Sequence, residues 1–148
     1  MSEREKFEAA LESLPHGPEF RFVDEVVEMD AGRSGAGVYR VRGDEVFLAG
    51  HFPGDPLMPG VILVEAIAQL AGVVAQCDPE REPLAKLRLS AVRAAKILGA
   101  ARPGETLDLR AEVEGRMGGL IQVSGEVKSG ETLLASAKVV LSGEEQGA

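Results

Sequence analysis

Two residues able to exchange protons, His51 and Glu65, stand fourteen positions apart in a stretch otherwise made of small, aliphatic and turn-forming residues. His51 lies in GHFPGDPLMPG, a loop stiffened by glycine and proline. Glu65 lies in VILVEAIAQLAGVVA, where Gln69 is the one other polar side chain. A neutral imidazole near pH 7 can take a proton, whereas a carboxyl withdrawn from water favours the form that can give one. Burying a carboxyl without a partner is costly, so a chain that keeps one in such a run has a use for it. Together the two side chains suit a reaction that removes one proton from the substrate and delivers another to a leaving group.

The elements that must hold these groups follow from the pattern. Gly60 to Gln76 reads as a helix roughly 25 Å long, with Pro59 as a first-turn residue. Glu65 and Gln69, four apart, share one face of it, so Gln69 is placed to hydrogen-bond the carboxyl and fix its orientation. The rest of the helix is apolar on every side, which predicts burial all round. Upstream, Ser2-x-x-Glu5 is a capping box opening a short helix with a stripe of Phe7, Ala10, Leu11 and Leu14, ended by Pro15. Phe20 to about Met29 and Val38 to Val41 read as strands. After CDPEREP breaks the long helix, strands are expected at Lys86–Leu98, Thr106–Glu114, Leu120–Val127 and Leu133–Leu141. Turns at ARPGE, RMGG and KSGE would make them an antiparallel meander. The tail, 143–148, is expected to fray.

The expected architecture is α+β: a curled antiparallel sheet of about six strands wrapped around one long buried helix. It forms one domain over 1–148, with an N-terminal helix over 1–14. One flat sheet and water could not cover so apolar a helix. Either the sheet wraps strongly or a second subunit covers the remainder.

Composition excludes several classes. The net charge of −8, from 16 basic and 24 acidic residues, argues against a nucleic-acid partner, as do the single Tyr and absent Trp. One cysteine, Cys77, allows no internal disulfide, and one Cys with two widely spaced His offers no metal-ligand cluster. The apolar run is short for a bilayer and carries Glu65 and Gln69, so no membrane span is expected. The N-terminus has no apolar block like that of a secretory signal. The expectation is a cytoplasmic protein without metal or organic cofactor, acting on a small-molecule or protein-tethered substrate.

GHFPGDPLMPGVILVEAIAQLAG resembles the signature of the 3-hydroxyacyl-acyl-carrier-protein dehydratases of the hot-dog fold, FabZ type, written HFPGxPxMPGVLxxEAxAQ. LPHGPEFRFVDEVVEMDAG is similar to the same family's LPHRxPFxxVDRV segment, and ARPGETL to its VxPGDxL hairpin, so the likeness runs over roughly 14 to 141. It implies dehydration of (3R)-hydroxyacyl thioesters to trans-2-enoyl thioesters, with His51 as base and Glu65 as acid. The main-chain N–H of Gly60, at the positive end of the helix, would polarise the thioester carbonyl. Gln69 would support Glu65, and the carbonyl around Leu57 would orient the imidazole. The family's site is shared across a homodimer, His of one subunit facing Glu of the other, and a trimer of dimers is a further assembly the likeness allows. The related FabA-type dehydratase–isomerases share GDPxMPG but carry Asp where Glu65 stands, so EAxAQ favours dehydration without isomerisation.

The sequence departs from that family in two places. Its basic, aromatic and proline-rich RFRRPV-like segment reads AKILGAA here, and the arginine after LPH is Gly17. Acyl carrier protein is acidic, so docking needs a local basic patch, for which Arg88, Arg93, Lys96 and Arg102 are the candidates beside an ordinary role as solvated strand residues. Coenzyme A thioesters remain an alternative substrate form. His16 is expected to be structural, tying its turn to the sheet, with lining the site as the lesser alternative, and Cys77 to be inert packing. Phe47, Phe52, Met58 and Ile62 are expected core residues that could also line an acyl tunnel. A hot-dog thioesterase and a non-catalytic acyl-binding subunit are the competing readings. The pairing of His51 with Glu65 favours elimination over both.

Overall fold

The computed structural model describes residues 2–146. Helix α1 spans Glu3–Glu12, opened by the expected reciprocal capping of Ser2 and Glu5 and closed at Ser13, short of Pro15. The segment expected to begin a strand at Phe20 instead forms a 3₁₀ turn over Pro18–Phe20 and then an extended stretch. Its amides have other acceptors: Phe22 N–H donates to the Gln69 side chain and Asp24 N–H to the Val38 carbonyl. Strand β1 (Glu25–Asp30) therefore starts later than expected, and β2 (Ser34–Arg40) starts earlier, directly after the turn at Gly32. A short helix α2 (Val46–Gly50) precedes His51, in a stretch for which the sequence pattern predicts no element. Helix α3 covers Gly60–Gln76 as expected, with Pro59 at its N-cap rather than inside its first turn.

Four long strands complete the sheet: β3 (Ala85–Ile97), β4 (Thr106–Met117), β5 (Leu120–Ser129) and β6 (Thr132–Glu144). The last runs through the start of the expected frayed tail, whose final residues, 147–148, lie outside the described ones. The order is β1-β2-β4-β5-β6-β3, antiparallel throughout. A simple meander is thus corrected. Strands β4, β5 and β6 follow one another, but β3 lies at the far edge on β6, and β4 returns to pair with β2.

The sheet curls around α3 far enough to cover it. From Leu63 to Ala75 every helix residue is buried except Glu65. Three register shifts between β3 and β6 help the sheet bend. Glycines let the helix come close: a Cβ at Gly35 would meet Val74 at 2.6 Å, and one at Gly125 would meet Ile67 at 2.6 Å. One chain therefore buries its own central helix, and a partner is not needed for that purpose. What remains open is the β3 edge, exposed on both faces from Ala91 to Ile97. No helix among the described residues is long and apolar enough to cross a membrane.

Candidate active site

The loop that carries His51 is fixed from several sides. The His51 amide donates to the Leu48 carbonyl at the end of α2, and the His51 carbonyl accepts from Leu57 N–H at 2.7 Å. Phe52 and Asp55 exchange backbone hydrogen bonds, closing the tight turn between them. Met58 N–H donates to Ala101, and Arg102 pairs with Asp55 at 2.7 Å, so the segment after β3 clamps the loop. Within this frame His51 Nδ1 lies 2.9 Å from the Leu57 carbonyl oxygen. A carbonyl can only accept, so the proton of the neutral ring sits on Nδ1. That leaves the Nε2 lone pair free, which is the form a general base requires.

Glu65 occupies the one incompletely buried position on the inner length of α3. Its Oε2 accepts from Gln69 Nε2 at 2.9 Å. Gln69 is itself immobilised, donating to the Phe20 carbonyl at 2.9 Å and accepting from Phe22 N–H at 2.8 Å. The carboxyl opens onto a cavity of about 350 Å³ between the turn after α1, the flank of α3 and the inner side of β3. Ala68, Gly72, Val73, Leu87 and Leu141 make much of its wall apolar.

Gly60, the first residue of α3, brings an amide to the positive end of the helix. A Cβ there would sit 2.6 Å from Ile97 Cδ1 and 2.7 Å from its Cγ2, so a larger residue would have to displace the Ile97 side chain. Phe47 and Ile62 pack against the core and Met58 is fully buried, whereas Phe52 is half exposed and stacks on the His51 ring.

The structure gathers these residues into two separate groups. His51 with Leu57 form one, and Glu65 with Gln69 the other. Among the described residues no hydrogen bond joins His51 to Glu65, and His51 is not in the wall of the Glu65 cavity. His16 takes the lesser of its two expected placements: it lines that cavity, with Nε2 3.4 Å from Glu65 Oε2. Nothing in the spacing of 16 and 65 signals this contact, because it depends on how the LPHGP turn folds back over the helix.

The four basic candidates do not form one patch. Arg102 is engaged with Asp55, Arg93 donates to Gln122, and Arg88 borders the Glu65 cavity. Lys96 faces a separate groove on the outside of the sheet, with Arg110 and Lys138. Cys77 is half-buried at the end of α3, and burial pushes its thiol above the ordinary value. Among the described residues no cluster of His, Cys, Asp and Glu could hold a metal ion.

A curled six-stranded antiparallel sheet around one central helix, with a carboxyl on the helix and an imidazole on the loop before it, defines the hot-dog fold. The model of the FabA-like domain matches residues 14–138. The 3-hydroxyacyl-[acyl-carrier-protein] dehydratase FabZ of Caldanaerobacter subterraneus subsp. tengcongensis is 36% identical over 128 residues, 86% of this chain and 89% of that protein. FabZ of Dechloromonas aromatica is 36% identical over 132 residues, 88% of this chain and 92% of the other. Among solved structures, the dehydratase heterocomplex ApeI:P of Xenorhabdus doucetiae superposes with a TM-score of 0.74 at 20% identity, covering 90% and 89% of the two chains. Zebra fish thioesterase superfamily member 2 gives 0.67 at 14%, covering 97% and 95%, and at that identity speaks for the fold alone. The chain belongs to the FabA-like family, in its FabZ-type branch.

Proposed function

We propose that this protein dehydrates (3R)-hydroxyacyl thioesters, carried on acyl carrier protein, to trans-2-enoyl thioesters in fatty-acid or related biosynthesis. His51 Nε2 takes the C2 proton, and the Gly60 amide stabilises charge developing on the thioester oxygen. Glu65 delivers its proton to the C3 hydroxyl, which departs as water while the C2–C3 double bond forms. The acyl chain lies in the apolar cavity below Glu65. The observation that carries this reading is the Nδ1 bond to Leu57, which leaves a bare Nε2 on a rigid loop. Hydrolysis by a hot-dog thioesterase needs no such histidine.

Two copies of the chain make the complete site, His51 of one working with Glu65 of the other. The separation of the two groups in one chain supports this, and so does the β3 edge. Val92 and Ile97 on that strand are about half exposed, and Val61, on the first turn of α3, is 72% exposed. A long apolar edge of this kind pairs with another strand or aggregates, and a two-fold axis at β3 gives a closed, isologous dimer. A trimer of such dimers is the larger assembly, and the cytoplasm is the proposed compartment. Of the basic residues, Arg88 is best placed to meet an acidic carrier, because it borders the cavity that takes the acyl group.

Mass spectrometry of 3-hydroxyacyl thioesters incubated with the protein, as carrier-protein and as coenzyme A derivatives, tests the reaction. Loss of one water, slowed by orders of magnitude in folded His51→Ala and Glu65→Gln variants, is the expected result, with faster turnover on the carrier protein. Release of free acid instead would transfer the protein to the thioesterases.

A further inference from the structure

Glu65 has two carboxyl oxygens, and they are not equivalent. Gln69 Nε2 donates to Oε2 at 2.9 Å, and His16 Nε2 lies 3.4 Å from that same oxygen. Oε1 takes no hydrogen bond among the described residues. We propose that His16 is a positioning residue which, together with Gln69, occupies Glu65 Oε2 and so makes Oε1 the oxygen that carries and delivers the proton. This rests on the dehydratase reading and extends it to a residue outside the His51–Glu65 pair.

Three features support it. Gln69 cannot turn away, because Phe20 and Phe22 hold its other hydrogen-bonding positions. His16 is held as well: Arg21 donates to its carbonyl at 3.1 Å, and its ring stacks near Phe20. Finally, His16 Nδ1 is buried with no partner. An orphaned lone pair is tolerated better than an orphaned N–H, which favours the tautomer with its proton on Nε2, aimed at Glu65. At 3.4 Å the contact is longer than a short hydrogen bond, as is common for catalytic contacts before substrate is bound. Arg88 is the other charged group at this cavity, on its β3 side.

A carboxylic acid bonded twice at one oxygen presents its proton from the other. Losing one of the two donors lets the group rotate and spend time with its proton turned from the substrate. The cost falls on turnover rather than on binding.

The test compares His16→Phe and His16→Leu, which keep bulk and lose the donor, with His16→Gln, which restores an N–H near Nε2. All are assayed in wild-type and Glu65→Gln backgrounds, with thermal unfolding to confirm folding. The expected result is a fall in kcat of roughly tenfold or more for the variants lacking the donor, with KM nearly unchanged. His16→Gln recovers most of that loss, and removing the donor adds little once Glu65 is already Gln. Wild-type kcat in a folded His16→Phe or His16→Leu protein overturns the proposal. So does full additivity with Glu65→Gln, or failure of a folded His16→Gln to recover. If the wild-type protein removes no water from any 3-hydroxyacyl thioester, the dehydratase reading itself falls, and that outcome is separate from these.

Discussion

Gln69 Nε2 donates to Glu65 Oε2 at 2.9 Å while the same amide ties α3 to the backbone of Phe20 and Phe22. One buried side chain thus braces both the fold and the carboxyl. Gln69→Met would keep the volume and remove every one of these bonds. The buried Phe22 N–H would lose its acceptor, at a cost of about 1–3 kcal/mol. Urea unfolding should show that loss, and turnover should fall with it because Glu65 is no longer held. Wild-type stability together with wild-type turnover would show that Gln69 does neither task.

The separation of His51 from Glu65 within one chain gives a sharper test of the shared site. Mixing His51→Ala with Glu65→Gln subunits, unfolding them together and refolding should restore activity far above that of either variant alone. In a two-fold dimer the mixed species has one site with both wild-type groups and one with neither. Random pairing therefore gives about a quarter of wild-type activity. No recovery, with dimer exchange verified by native mass spectrometry, would put the complete site inside one chain.

The central helix and its two polar residues were legible in the sequence because their signal is local: an apolar run between Pro59 and Cys77, with Glu65 and Gln69 on one face. The strands from β3 onward were legible for the same reason, to within a few residues at most ends. Their order was not, because β3 pairs with β6, and neighbours in sequence gave no sign of it. The stretch Phe20–Asp24 has strand composition, yet the Gln69 side chain takes an amide that a neighbouring strand would have bonded. The apolar helix called for either a strongly wrapped sheet or a second subunit, and the choice between them lay in glycines at 35 and 125 that let the sheet close on it. The contact of His16 with Glu65 was not legible, because the two are far apart in sequence and only the folded LPHGP turn brings them together.

A half-exposed network beside the His51 loop should contribute to the acid stability. Tyr39 O–H donates to Glu45 Oε2 at 2.6 Å, and the Arg42 and Gly43 amides also reach this carboxyl. Burial alone would raise Glu45, but these hydrogen bonds outweigh it and hold the group below its ordinary value of 4.5. A carboxyl lowered by folding contributes its full stability above its unfolded value and loses it as pH falls through the folded one. Unfolding free energy should therefore be steady near neutrality and decline below about pH 4.5. Glu45→Gln should lower the neutral plateau and flatten the acid decline, whereas a parallel decline in both proteins would assign the acid sensitivity elsewhere. Tyr39→Phe should also lower the plateau, since it removes the buried donor.

Gly72 lies on the wall of the Glu65 cavity, two turns of α3 beyond the carboxyl. A Cβ there would lie 3.4 Å from Leu87 Cδ2 and 3.9 Å from Leu141 Cδ1, ordinary contact distances for a methyl group. Alanine should thus be accommodated, and it should also stabilise the helix by about 0.5–1 kcal/mol relative to glycine. Leucine has no such room except in the cavity itself. If the acyl chain runs along α3, Gly72→Leu should preserve dehydration of the shortest 3-hydroxyacyl thioesters and remove it for long ones. Gly72→Ala should shift the profile only slightly. Measuring kcat/KM against acyl length for the three proteins decides it. An unchanged profile in a folded Gly72→Leu protein would mean that the chain leaves Glu65 by another route, and a uniform loss at every length would mean that the side chain disturbs the carboxyl rather than the chain's path.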